Sequence, residues 1–151
     1  MELDIQQISS LQQNKYPLLF LDRVTDLIPG VSCTGIKNFS YNEWFFPVHF
    51  KNDPSVPGFI QIECMVQAFM MTFITLDECK GKLVYGHKIN NVQYRTKIVP
   101  GDVLNSFCTL KSLRRGIASG HVDSYVSDKK ACSADFTVVI PDLVNNFLPS
   151  Q

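Results

Sequence analysis

The chain has no net charge: 14 basic and 14 acidic side chains balance over 151 residues. It has no basic tail either. Both absences argue against a general nucleic-acid binder, which needs a cationic field to hold phosphates. No two of its five cysteines (Cys33, Cys64, Cys79, Cys108, Cys132) stand in C-x-x-C spacing, and the number is odd. That argues against a zinc site or a disulfide framework and points to reduced thiols in the cytoplasm. Met1 to Ser10 lacks the apolar core of a signal peptide. There is no internal repeat, low-complexity tract or linker, so one domain over residues 1–151 is expected. Apolar residues make up 45% and charged residues 19%, a globular composition. The small charge content is uneven: residues 1–75 carry a balance of −3 and residues 76–151 one of +3. That is either an ordinary solvated surface or a basic rim that meets an acidic partner.

What is present is one dominant apolar segment. Phe59 to Leu76 reads FIQIECMVQAFMMTFITL. A membrane span would use about 20 apolar residues, but Gln61, Glu63 and Gln67 make that placement costly. A helix apolar on most sides is otherwise buried on most sides. Pro57-Gly58 marks its start, and Lys80-Gly81 supplies a last-turn cation and a C-cap glycine. The remaining runs are strand-like: Leu18 to Ile28, Val31 to Phe39, Asn91 to Val99, Val103 to Ser112, Ile117 to Val126 and Ala131 to Ile140. Turn signals at Pro29-Gly30, Pro100-Gly101-Asp102, Arg114-Arg115-Gly116 and Asp128-Lys129-Lys130 separate them, which suggests an antiparallel meander. A single small sheet must curl around the helix to cover it, giving an α+β architecture. Its open edges favour pairing with a second copy, so a homodimer is expected.

The chemistry concentrates in Asn42 to Gln67, NEWFFPVHFKNDPSVPGFIQIECMVQ. His49 sits in an aromatic loop with Trp44, Phe45, Phe46 and Phe50. Gly58 then opens the helix, and Glu63 lies within it. A carboxyl in an apolar helix must be paired, protonated or functional, since stranding it in the core is expensive. Taken singly, each residue is as readily a structural one. Together, an imidazole, a carboxyl and a helix N-terminus form a constellation that chemistry can use.

These residues resemble a known family, the hot-dog-fold 3-hydroxyacyl-acyl-carrier-protein dehydratases of fatty acid synthesis. The family pattern runs N-E-x-F-F, then G-H-F-P-x-x-P-x-x-P-G, then L-E-A-M-A-Q in a helix. The matching residues are Asn42-Glu43, Phe45-Phe46, His49-Phe50, Pro54, Pro57-Gly58 and Glu63-x-Met65-x-Gln67. Tyr16-Pro17-Leu18-Leu19, Leu21-Asp22-Arg23-Val24, Val99-Pro100-Gly101-Asp102 and Arg114-Arg115-Gly116 also fit. The similarity covers about Tyr16 to Pro141. Val48 replaces the glycine before the histidine, and Lys51 replaces the proline after the phenylalanine. Asn14 stands where the family usually has histidine, and Thr96-Lys97 replaces an Arg-Pro pair. None of these removes the acid–base pair.

The resemblance implies a hot-dog fold and loss of water from (3R)-3-hydroxyacyl thioesters carried on an acyl carrier protein, to give trans-2-enoyl thioesters. It implies no cofactor and no metal. His49 is then the candidate base at C2 and Glu63 the candidate acid at the C3 oxygen, its carboxyl kept protonated by burial. Glutamate here, in place of the aspartate of relatives that also isomerise the product, favours plain dehydration. The Gly58 amide is the candidate oxyanion donor, with Pro57 fixing the chain that enters the helix. Gln67, one turn beyond Glu63, either holds its carboxyl or packs against another element. Phe59, Met65, Phe69 and Met70 are either walls of an acyl tunnel or plain core packing, the safer reading for each, and Tyr94 is a candidate residue at the tunnel mouth. Arg95, Lys97, Arg114 and Arg115 are either docking residues for the acidic carrier or solvated strand ends. The family further implies that His49 and Glu63 come from different subunits of a homodimer, alone or in a trimer of dimers. Two alternatives remain open from the residues: a thioesterase on the same fold, and a non-catalytic acyl-binding or assembly subunit.

Overall fold

One long apolar helix and six strand-forming runs dictate the architecture. The computed structural model describes residues 1–145. In chain order these form α1 (Ile5–Leu11), β1 (Arg23–Ile28), β2 (Ser32–Asn38), a 3-10 turn (Phe46–Val48), α2 (Gly58–Ile74), β3 (Tyr85–Tyr94), β4 (Val103–Arg114), β5 (Ile117–Val126), β6 (Lys129–Val139) and α3 (Pro141–Asn145). All strand pairs are antiparallel, and the sheet order is β1-β2-β4-β5-β6-β3.

The sheet wraps α2, as its composition requires. Met65, Ala68, Phe69 and Phe73 are buried against Val24, Leu27, Val122 and Phe136 of the strands. Gly35 of β2 makes this approach possible: a Cβ there would lie 2.4 Å from Ala68 Cβ, so β2 rests directly on the helix. At the N-terminal end of α2, Ile60 and Cys64 join a second cluster with Phe20, Phe39, Phe45 and Phe46. Among the described residues no helix is long and apolar enough to cross a membrane.

Four expectations need correction. The strands are not a simple meander. β4, β5 and β6 do form one, but β3 pairs with β6 and β2 pairs with β4. The reason is α2 itself: 17 residues at 1.5 Å each carry the chain about 25 Å, from β2 to the far edge of the sheet. The strand placed at Asn91 to Val99 is Tyr85–Tyr94, and Pro100-Gly101-Asp102 closes no hairpin. It lies instead beside the end of β2, with Phe39 N–H on Asp102 O at 3.0 Å and Gly101 N–H on Phe39 O at 2.7 Å. The helix stops at Ile74, before Asp77 and Glu78, whose negative charges are unfavourable at a helix C-terminus. Gly81 therefore caps nothing and sits in the following turn at φ +74°. Finally, α1 was not anticipated, although Asp4 and Gln7 form a capping box at its start.

The two sheet edges differ. Leu3 covers β1 by exchanging backbone bonds with Val24 at 2.9 and 3.0 Å. The outer edge of β3 pairs with no strand among the described residues, and every β3 residue but Val92 is exposed. Across the outer face, one carboxylate ties four strands together. Asp135 of β6 accepts from Asn91 of β3 at 2.8 Å, from His121 of β5 at 2.8 Å and from Lys111 of β4 at 3.2 Å. The Asn91 and His121 hydrogen bonds, with Lys111, hold its carboxyl down at about 2.

Candidate active site

The His49 loop is built on its aromatic residues. Phe45 and Phe46 are buried, with ring centroids 4.8 Å apart, while Trp44 and Phe50 stay exposed. Below them Lys37 points into the interior from β2. Its ammonium lies 2.6 Å from Glu43 and 3.6 Å from Asp22. The Asn42-Glu43 motif is thus an electrostatic anchor that fixes the start of the loop. Lys37→Ala leaves Glu43, whose side chain is only 19% exposed, without its counter-charge. The expected loss of stability is about 3 kcal/mol, the low end for breaking a buried pair. A urea unfolding curve with a lowered midpoint and unchanged slope checks it; an unmoved midpoint overturns it.

His49 follows the 3-10 turn and is half-buried. Its Nδ1 lies 3.0 Å from the Ser55 carbonyl oxygen and 3.3 Å from Ser55 Oγ. A carbonyl only accepts, so Nδ1 carries a hydrogen, and in the neutral tautomer this selects Nε2 holds the lone pair. Phe50 stacks on the ring at 4.4 Å. Ser55 was not anticipated; nothing in its spacing singles it out.

Gly58 is the first residue of α2. Pro57 before it offers no side-chain cap, and neither the Gly58 nor the Phe59 N–H has an acceptor among the described residues. Two peptide donors thus project from the positive end of a helix. A Cβ on Gly58 would lie 2.9 Å from the Tyr94 ring and from its hydroxyl, so glycine admits the ring close to this amide. Tyr94 also borders a polar cavity of about 290 Å³ with Ser55, Gln61, Arg95, Thr96 and Lys97.

Glu63 faces elsewhere. It lies five residues beyond Gly58, which turns it about 140° around the helix axis. It is half-buried, and its Oε1 accepts from Asn14 Nδ2 at 2.8 Å and from Gln67 Nε2 at 2.7 Å. Gln67 performs both roles considered for it. Besides holding Glu63, it donates to Leu18 O at 2.6 Å and accepts from Phe20 N–H at 2.9 Å. Glu63 borders an apolar cavity of about 310 Å³ walled by Ile62, Val66, Met70, Ile89 and Phe136. Met70 was expected there. Phe59, Met65, Phe69 and Tyr94 do not line it: Ile62, Glu63, Val66 and Met70 share one helix face, while Met65 and Phe69 point into the core and Phe59 into solvent. The thiol next to Glu63 is no rival nucleophile, because burial pushes Cys64 well above the ordinary thiol range.

One chain therefore holds two half-sites: His49 on Ser55 in the loop that leads into Gly58, and Glu63 with Gln67 and Asn14 at an apolar cavity. His49 does not border the Glu63 cavity. The four candidate docking cations are also divided. Arg95 and Lys97 follow β3, near Gln93 and Asp53 respectively. Arg114 and Arg115 form the β4–β5 turn, level with the opposite end of β3. Ten strand residues separate the two ends by about 30 Å. Among the described residues, no cluster of side chains suits a metal ion.

Comparison with known proteins sharpens this picture. The solved dehydratase heterocomplex ApeI:P of Xenorhabdus doucetiae superposes with a TM-score of 0.75 at 14% identity, over 89% of this chain and 90% of that one. The phenylacetic acid degradation protein PaaI of Thermus thermophilus gives a TM-score of 0.57 at 16% identity, over 77% of this chain and 90% of that one. Both likenesses establish the hot-dog fold alone. Sequence relatives reach further. The 3-hydroxyacyl-[acyl-carrier-protein] dehydratase FabZ of Lactobacillus helveticus is 37% identical over 93% of this chain and 95% of its own. The enzyme of the same name from Enterococcus faecalis is 34% identical over 89% and 93%. With the FabA-like domain matching residues 12–135, a span that takes in both half-sites, the chain belongs to the FabA-like family.

Proposed function

We propose that the protein is a dehydratase that converts (3R)-3-hydroxyacyl thioesters, carried on an acyl carrier protein, to trans-2-enoyl thioesters. The supporting observation is complementary groups left free in the two half-sites: Nε2 of His49 and the uncapped peptide N–H of Gly58 in one, and Oε2 of Glu63, a residue that lines an apolar cavity, in the other. Nε2 takes the C2 proton. Negative charge then builds on the thioester oxygen, which the Gly58 N–H and the helix dipole stabilise. Glu63 Oε2 gives its proton to the C3 hydroxyl, the C3–O bond breaks, water departs, and C2=C3 forms. The proton held on His49 returns to Glu63 through solvent, so the cycle needs no cofactor.

Since the half-sites face different ways on one chain, a second copy completes each centre. The open β3 edge supports a homodimer formed by antiparallel β3–β3 pairing, because an uncovered strand edge is a template for another chain. Such pairing places Arg95 and Lys97 of one protomer at the same end as the partner's Arg114 and Arg115. The divided cations then form one basic surface suited to an acidic carrier protein. Five free, buried cysteines support a reducing, cytoplasmic setting.

The test is incubation with 3-hydroxybutyryl and 2-butenoyl pantetheine thioesters. Reversible interconversion, seen as enoyl absorbance, is expected. Release of free thiol without enoyl product makes the protein a thioesterase, and binding without turnover makes it an acyl-binding subunit.

A further inference from the structure

The two oxygens of the Glu63 carboxyl are treated differently. Oε1 receives two N–H donors, from Asn14 and Gln67, and Oε2 has no partner among the described residues. Both donors are themselves restrained. Gln67 is fully buried and holds Leu18 and Phe20. Asn14 ends an N-terminal arm that is clamped at two preceding residues. Gln12 donates to the Gln67 carbonyl at 2.9 Å, and Gln13 exchanges bonds with both backbone groups of Val84 at 2.7 and 2.8 Å. The arm thus forms part of the wall of the apolar cavity, where Gln13, Asn14 and Glu63 line the same space.

We propose that Asn14 is a positioning residue for the catalytic acid: with Gln67 it fills Oε1, so the transferable proton is confined to Oε2, facing the cavity. This rests on Glu63 acting as the acid. A hydrogen on Oε1 would collide with the two N–H groups already aimed there. Once the proton leaves for the C3 hydroxyl, the same two donors stabilise the carboxylate that remains. The Gln67 amide is fixed by its oxygen, which accepts from Phe20 N–H and so turns Nε2 to Glu63 Oε1, and Asn14 presents Nδ2 to the same oxygen. Among the described residues, Lys88 of β3 is the other charged side chain on this cavity. The neighbouring Cys64 on α2 is buried, with its thiol pushed well up.

The experiment measures kcat, KM and pH dependence for Asn14→Ala and Asn14→Asp on a 3-hydroxyacyl pantetheine thioester. A hydrogen bond to a charged group corresponds to a loss of about 10–100-fold, expected in kcat for Asn14→Ala, with KM within about twofold. Asn14→Asp keeps the shape but turns the donor into a second carboxyl. Its deficit at neutral pH should exceed that of Asn14→Ala and shrink as the pH is lowered, because two facing carboxyls then share a proton. Asn14 is only partly buried, so both variants should melt cooperatively at the native temperature. If the native protein turns over and both variants keep native kcat across the pH range, the proposal fails while the dehydratase reading stands. It fails equally if the loss is wholly in KM, if Asn14→Asp behaves as Asn14→Ala at every pH, or if the variants lose their cooperative melt. A native protein that forms no enoyl product removes the dehydratase reading on which the proposal rests.

Discussion

Glu63→Gln is expected to lower kcat by about 10²–10⁴-fold, the usual worth of a positioned acid–base group, while KM changes little and the melting temperature is unmoved. The substitution is isosteric. Its carbonyl oxygen can still accept from Asn14 and Gln67, as Glu63 Oε1 does at 2.8 and 2.7 Å, so the hydrogen bonds that tie α2 to the N-terminal arm survive. What is lost is the acidic proton. An amide N–H at the Oε2 position is far too weak an acid to protonate a departing hydroxide. C2 deprotonation at His49 then has no partner step at C3, and the reaction stalls in both directions. Glu63→Ala would confound this result by stranding the Asn14 and Gln67 donors, which is why the amide is the sharper test. Turnover within about tenfold of native would remove Glu63 as the acid. Saturation kinetics on a carrier-bound 3-hydroxyacyl thioester, read beside a thermal melt, decides it.

The parts of this site visible in the sequence are those that lie close together along the chain. His49, Gly58 and Glu63 fall within one stretch, and α2 announces itself as an apolar run. What stayed hidden depends on long-range placement. Asn14 precedes Glu63 by 49 residues, and nothing local says that its amide meets that carboxyl. The walls of the cavity could not be told from core residues, because an apolar helix does not declare which face opens onto space. Ile62 and Val66 are as apolar as Met65 and Phe69, and only the wrapping of the sheet distinguishes them. β3 was placed too late because it does not alternate. Bulges between Gly86 and Lys88 and between Asn90 and Gln93 break its period. Its position beside β6 follows from the crossing made by α2, which strand patterns do not encode. Charge was legible as a surplus in the second half of the chain but not as geometry. Arg95 and Arg114 contribute to the same count and end about 30 Å apart.

Mixing His49→Ala protein with Glu63→Gln protein is expected to restore activity that neither has alone, because each protomer presents its intact half-site to the other. Random exchange of equal amounts makes about half of the dimers mixed, and each mixed dimer has one complete centre out of two. The recovered rate should therefore approach about a quarter of native at the same total protein. The converse mixture removes the remaining ambiguity. Native protein exchanged with an equal amount of the double variant His49→Ala/Glu63→Gln should fall to about half of its starting activity, since every mixed dimer lacks either the base or the acid at both centres. A site assembled within one chain predicts the opposite in both cases: no rescue in the first mixture and no loss in the second. Native mass spectrometry that shows the mixed species makes a negative result decisive. The structure favours recovery for a simple geometric reason. Gly58 and Glu63 are turned about 140° apart on α2, His49 leans on Ser55 at the Gly58 end, and the apolar cavity opens on the other face, beside the exposed strand that a second copy can cover.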